Sequence, residues 1–169
     1  MEAFTIRPML PEDPPVIADA FTAQGWNKPR EQYERYYAQQ QAGQRKVFIL
    51  LAGKEFAGYV TLLPTPSGGP WKGQNVPEIC DFNVLKKFRG RGFGWALMDA
   101  AEQAAAETGS VVTLGVGLYT DYGTAQRMYI KRGYLPDGSG IWYGGDQPLP
   151  PGAPCVNDDD LILYLSKRL

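Results

Sequence analysis

Apolar and polar positions alternate over Phe4, Thr5, Ile6 and Arg7, which predicts a short strand. Pro8, Pro11, Pro14 and Pro15 stop it before an apolar periodicity over 16–21 that predicts a helix. Within 28–41, Tyr36 and Tyr37 follow Tyr33 by three and four positions, so the rings share one helical face, which packs on the core or walls a pocket. Two β-rich runs, 46–52 and 56–63, flank a short turn containing Gly53, the pattern of a hairpin. A Pro/Gly loop over 64–77 follows, with Trp71 expected to be exposed, and it is long enough for either a functional or a connecting role.

Residues 78–85 read as a strand. A basic glycine turn leads from it into an alanine-rich helix that ends near Thr108, with Gly109 placed to stop it. An apolar strand covers 111–116. A helix over 122–132 carries Ala125, Met128 and Tyr129 at helical spacing and meets Gly133 before a strand begins at Tyr134. Residues 136–159 are rich in Gly and Pro, and 161–165 form a last strand followed by Lys167 and Arg168. The order βααβββαβαββ predicts an α/β fold with a single mixed sheet covered by helices.

With 169 residues, 44% of them apolar, the chain can bury a real core and is most economically one domain, 1–169. A net charge of −1 argues against nucleic-acid or membrane-surface binding driven by global charge, so any anion site must be local. The absence of histidine removes Ser-His-Asp and Cys-His catalysis and histidine zinc sites, and no metal is expected. Carboxylates, tyrosines, lysines and backbone amides are left to carry the chemistry. Residues 1–7 lack a basic run followed by an apolar stretch, no membrane-length apolar run occurs, and only Cys80 and Cys155 are present. The expectation is a soluble protein of the reducing cytoplasm.

The informative stretch is 86–94, where Lys86, Lys87, Arg89 and Arg91 alternate with Gly90, Gly92 and Gly94 at a strand-to-helix turn. Glycines there admit a ligand to the backbone, and the first-turn N–H groups and the helix dipole point at bound phosphate. Hydrogen bonds to a charged group contribute roughly 1.5–3 kcal/mol each, against less than about 1 kcal/mol for a surface salt bridge. The backbone, more than the arginines, should dominate affinity. Neither a Walker A pattern nor a dinucleotide-binding fingerprint is present.

Arg89-x-x-Gly92-x-Gly94 after a strand ending in Val84 resembles the [QR]xxGx[GA] pyrophosphate loop of the GNAT superfamily of N-acetyltransferases. Ala125-x-x-x-Tyr129-x-x-x-Gly133-Tyr134 resembles the AxxxYxxxG[FY] helix of the same family. With the order of elements, the resemblance covers essentially the whole chain. It implies a mostly antiparallel sheet flanked by helices on both faces and splayed between the fourth and fifth strands, with the pantetheine arm of acetyl-CoA inserted there. By similarity, the main chain of Phe82 and Val84 pairs with pantetheine and thioester. Arg89, Gly90, Arg91, Gly92, Phe93, Gly94 and Trp95 hold the pyrophosphate. Relatives often carry Asn where this chain has Tyr122, so the hydrogen bond credited to that Asn would fall to Asp121 or Thr124.

An N-acyltransferase of this kind moves acetyl from acetyl-CoA to a primary amine of a small molecule or peptide by direct transfer. An alkylammonium of pKa near 10.4 must first lose a proton, which at pH 7 costs about 4.6 kcal/mol. Glu78, which opens the strand, resembles the catalytic glutamate of the histone-modifying branch and is the first choice of base. Strand alternation puts it on the face of Cys80, Phe82 and Val84. Asp81 falls on the opposite face unless a bulge intervenes, and is the second choice. Tyr129 resembles the family's general acid. Without histidine to generate a thiolate, a covalent route through Cys80 is disfavoured. Trp142, Tyr143 and the run Asp158, Asp159, Asp160 could enclose a cationic amine or be a solvated hairpin end. The alternative reading is a non-catalytic acyl-CoA sensor of the same fold. Members of that family commonly pair through sheet edges or C-terminal strands, so the resemblance implies a homodimer.

Overall fold

A computed structural model describes residues 3–145 and 147–169. Met1 and Glu2, in the segment read for a leader, and Asp146, in the Gly/Pro-rich stretch, lie outside them. The elements are β1 (Phe4–Pro8), α1 (Asp13–Ala23), α2 (Arg30–Gln41), β2 (Lys46–Ala52), β3 (Glu55–Leu63), β4 (Glu78–Val84), α3 (Phe93–Ala106), β5 (Val111–Gly117), α4 (Gly123–Lys131), β6 (Leu135–Tyr143), β7 (Gln147–Pro148) and β8 (Leu161–Arg168). This is a mixed α/β fold whose strands hydrogen-bond in the order β1-β2-β3-β4-β5-β8-β6-β7. The pairing is mostly antiparallel, with one parallel pair, β4–β5. Two compact units divide the chain, Met1–Leu63 with Cys80–Ala104, and Pro64–Ile79 with Ala105–Leu169.

In the first unit, β1 and β3 pair antiparallel with β2, where a register slip falls between Leu50 and Leu51. The chain returns along β3 as β4. Thr61 Oγ1 donates to the Cys80 carbonyl at 2.8 Å, and Leu85 N donates to the Ala57 carbonyl at 2.9 Å. Between these points the backbones approach so closely that a Cβ on Gly58 would sit 2.6 Å from the Asn83 carbonyl oxygen, so only glycine fits. An aromatic cluster fills the space between α1, α2 and β3. Phe21, Tyr33 and Tyr59 are fully buried, with ring centroids 5.6–6.4 Å apart. Each such ring pair adds about 0.5–1.5 kcal/mol beyond its buried area.

Helix α1 begins three residues earlier than its apolar periodicity, at Asp13, with Pro14 and Pro15 in its first turn. First-turn amides need no intrahelical acceptor, so prolines read as breakers here open the helix instead. Asp13 is buried, takes a bidentate hydrogen bond from Arg7 at 2.6 and 2.8 Å, and accepts from Leu10 N at 2.7 Å.

In the second unit, β8 pairs antiparallel with β5 from Val111↔Arg168 to Gly117↔Ile162 and, on its other edge, with β6. Glu78 and Ile79, the first residues of β4, pair in parallel with Thr113 and Leu114, and the parallel ladder covers only those residues. Strand β6 runs well into the stretch rich in Gly and Pro. Its register breaks between Pro136 and Ile141, where Gly138 and Gly140 take φ of 91° and 81° and Asp137 Oδ1 accepts from Ser139 N and Oγ at 3.2 and 2.9 Å. A bulge absorbs the glycines and pairing resumes at Ile141. Trp71 is half-buried rather than exposed. Its ring meets Tyr164 edge-on at 6.4 Å, and its loop is tied down by Gly69 N donating to the Gly145 carbonyl at 2.7 Å.

Candidate active site

The turn between β4 and α3 is a glycine corner at the N-terminus of a helix. After one 3-10 turn at Lys86–Phe88, Gly90 and Gly92 adopt φ of 76° and 85°, a region costly to any residue with a Cβ, and α3 starts at Phe93. A Cβ placed on either glycine would meet nothing within 4 Å, so it is the backbone conformation and not crowding by this chain that demands them. Phe93, buried at 2% exposure, anchors the first turn edge-on to Phe4 at 5.7 Å. The N–H groups of Phe93, Gly94 and Trp95 belong to the first turn of α3, the end at which helix backbone donors point outward.

The cations of the turn are held by the protein itself. Lys87 pairs with Glu55, and Arg91 Nη2 donates to the Lys87 carbonyl at 3.1 Å with its guanidinium over Phe88. Arg89 Nε donates to the Val84 carbonyl at 3.1 Å. Lys86 and Arg89 both lie over the Trp26 ring, at 5.1 and 5.5 Å from its centroid. This arrangement can bind a diphosphate mainly through backbone amides, with the arginines stiffening the loop.

On β4, Phe82 and Val84 are half-buried. Asp81 takes φ +44°, the one positive φ at a non-glycine residue among those described. Strict alternation therefore fails. Arg45 reaches Cys80 Sγ at 3.3 Å while stacking on Tyr36 at 4.2 Å, and Tyr36 in turn donates to Asp81 at 2.9 Å, so neighbouring residues of the strand meet side chains packed on each other. The Asp81 carboxylate accepts four hydrogen bonds. Oδ1 takes Lys28 Nζ at 3.3 Å and Asn83 Nδ2 at 3.0 Å; Oδ2 takes Gln32 Nε2 at 2.9 Å and the Tyr36 hydroxyl. That is as many donors as a carboxylate has lone-pair sites. Lys28 also lies 5.4 Å from the Phe21 ring centroid and 6.0 Å from that of Tyr59. Burial, reinforced by the Asp81 charge, pushes the Tyr36 and Tyr59 hydroxyls well above the usual tyrosine range, and burial does the same to Tyr33.

The remaining candidates belong to the second unit. Glu78 is half-buried at the head of β4, in register with Thr113. Tyr129 lies on α4, 6% exposed, its ring edge-on to Tyr134 at 5.9 Å. Desolvation pushes its hydroxyl well above the usual tyrosine range, which favours the protonated, donating form. Tyr122 packs its ring against Gly117, where a Cβ would come within 2.4 Å, and its hydroxyl and that of Tyr119 both donate to Asp159, at 2.8 and 2.6 Å. Trp142 is buried against Tyr164 and donates to Ser139 Oγ at 2.7 Å.

The turn residues, Phe82 and Val84 are thus gathered in one unit with Asp81, whereas Glu78 and Tyr129 lie in the other. The partners of Asp81, namely Lys28, Gln32, Tyr36 and Asn83, were not found from the sequence. The shared face of Tyr33, Tyr36 and Tyr37 was the only signal of them.

A family model described as "Acetyltransferase (GNAT) family" matches residues 13–134. Comparison with curated proteins returns no match. Among solved structures, the chain resembles a GNAT-family protein from Desulfovibrio desulfuricans at 16% identity, covering 98% of this chain and 99% of that one, with a TM-score of 0.73. It resembles the ribosomal-protein-S18-alanine N-acetyltransferase of Escherichia coli at 13% identity, covering 98% and 94%, with a TM-score of 0.69. Naa50 of Arabidopsis thaliana, in complex with the bisubstrate analogue CoA-Ac-MVNAL, aligns at 14% identity over 98% and 99%, with a TM-score of 0.66. At these identities the likeness is one of fold.

Proposed function

The chain belongs to the acetyltransferase (GNAT) family, and from that premise we propose that it transfers acetyl from acetyl-CoA to a primary amine of a small molecule or peptide by direct attack. The observation that carries this reading is the glycine corner: two left-handed glycines with open space at their Cβ positions, immediately before the first turn of a 14-residue helix. Backbone donors at such a corner suit the diphosphate of the acyl donor, which supports the reading. The family match begins in the first unit and ends in the second, which supports reading 1–169 as one catalytic domain.

In this reading the amides and side chains of Arg89, Gly90, Arg91, Gly92, Phe93, Gly94 and Trp95 hold the diphosphate. The main chain of Phe82 and Val84 aligns the pantetheine and the thioester, and Arg89 gives up the Val84 carbonyl to do so. Glu78 takes the proton from the acceptor ammonium, directly or through water. The neutral amine attacks the thioester carbonyl, a C–N bond forms and the C–S bond breaks; the Tyr129 hydroxyl donates a proton to the departing thiolate, and the second proton that the nitrogen loses as the amide forms returns to the tyrosinate. Asp81 remains the second candidate for base. Its lone pairs are already engaged by four donors, one of them cationic, which favours Glu78. No helix among the described residues is long and apolar enough to cross a membrane.

The decisive experiment is calorimetry with acetyl-CoA combined with a free-thiol assay over a broad panel of amines and peptides. Heat of binding and amine-dependent thiol release are expected. Heat without release from any amine would instead make the protein an acyl-CoA sensor, and no heat would remove the cofactor assignment altogether.

A further inference from the structure

Three charged side chains lie along the α2-facing side of β4, all in the first unit: Lys28, Asp81 and Arg45. Lys28 and Asp81 neutralise each other at 3.3 Å. Arg45 has no carboxylate partner among the described residues, and it is half-buried. Its guanidinium is nonetheless held. Nε donates to Gln39 Oε1 at 2.8 Å, Nη1 donates to Thr61 Oγ1 at 2.6 Å and meets Cys80 Sγ at 3.3 Å, and its plane lies 4.2 Å from the centre of the Tyr36 ring. The Nη2 amino group has no acceptor among the described residues. An arginine ordered on a ring and at two of its nitrogens has already given up most of its side-chain freedom, so a ligand that binds it pays little more.

We propose that Arg45 is a specificity residue that receives a carboxylate of the acceptor, so that the acceptor is an amine bearing a carboxylate, of the amino-acid class, and not a polyamine. This deepens the proposed function and rests on it. Charge complementarity is the argument. With Asp81 already paired to Lys28, Arg45 is the one of these three charges with no opposite charge paired to it among the described residues, and it attracts an anionic group. The Tyr36 ring ties the two ends together, since it stacks on Arg45 and its hydroxyl donates to Asp81. Arg45 acts by holding the acceptor and takes no part in the proton transfer or bond exchange.

The test compares free amino acids, the same amino acids as carboxamides, and a linear polyamine as acceptors in the thiol-release assay. Wild type should favour the acids over their amides by about 10- to 100-fold in kcat/KM, the range for one charge-assisted hydrogen bond, with the polyamine poorest. Arg45→Gln should erase that preference while leaving acetyl-CoA affinity unchanged, which a general loss of structure would not do. Arg45→Lys, which keeps charge without the planar fork, should fall between. Equal rates on acids and amides, or preference for the polyamine, would overturn the inference while leaving acetyl transfer intact. Should acetyl-CoA give no heat, the functional reading fails by itself. Binding of N-acetyl amino acids against N-acetyl amino-acid amides then still decides the role of Arg45, tighter binding of the acids supporting it and equal binding refuting it.

Discussion

The Tyr36 hydroxyl donates to Asp81 Oδ2 at 2.9 Å, and the residue it holds carries a left-handed backbone at φ +44°. A non-glycine residue in that region costs of order 1–3 kcal/mol, which the surrounding hydrogen bonds must offset. Asp81→Asn keeps the shape and removes the charge from Lys28. We expect it to lower unfolding free energy by roughly 1–3 kcal/mol in urea titration. Acetyl-CoA affinity should be unaffected. A variant as stable as wild type would mean that the cluster is not what sustains the strained backbone.

Glu78→Gln and Tyr129→Phe should both spare acetyl-CoA affinity and lower kcat, but their pH profiles should differ. The glutamine variant is expected to lose about 100-fold or more at neutral pH, within the range for general-base catalysis, and to recover partly as the acceptor amine deprotonates itself. The phenylalanine variant should show no such recovery. A pH-independent loss in Glu78→Gln would remove that residue from proton transfer.

Gly92 separates backbone conformation from ligand contact. Gly92→Ala puts a methyl group into open space but onto a backbone at φ +85°, so about 1–2 kcal/mol of stability should be lost. Gly92→Glu adds bulk and negative charge where the diphosphate is proposed to sit, and calorimetry should then detect no acetyl-CoA binding. Undiminished affinity in Gly92→Glu would move the phosphate site elsewhere.

Cys80 meets Arg45 Nη1 at 3.3 Å and Thr61 Oγ1 at 3.2 Å, so it has a cation beside it although the chain has no histidine. Direct transfer nevertheless requires no thiol. Cys80→Ser should retain turnover, and initial-rate patterns should be intersecting rather than parallel. Parallel lines, together with an inactive serine variant, would point to an acyl-enzyme.

Alkaline pH should unfold the protein. Burial raises the hydroxyls of Tyr33, Tyr36, Tyr59 and Tyr129 above their ordinary value of 10.0. The folded state therefore holds protons that the unfolded chain releases, and the associated stability is complete below pH 10 and is lost as pH rises beyond it. Thermal melts should show Tm falling steeply above pH 10. Tyr59→Phe, which removes the most deeply buried of the hydroxyls on the Asp81 side, should make that fall shallower.

The order of elements, the glycine corner and the helix that begins at it were legible in the chain because they rest on local rules. Apolar periodicity, a glycine that takes positive φ without strain and a helix start all act within a few residues of each other. The same locality explains what was misread. Prolines at 14 and 15 carry equal local weight as breakers and as helix openers, and the glycines of 138–140 signal a loop unless a partner strand is there to resume pairing. The setting of Asp81 was beyond reach for a different reason. Its donors Lys28, Gln32 and Tyr36 stand 53, 49 and 45 positions away in the chain, and only the packing of α1 and α2 on β3 brings them to β4. A carboxylate, an arginine and a tyrosine have the same local pattern whether solvated or joined. Whether they meet depends on long-range burial, and that was decided by the tertiary structure alone.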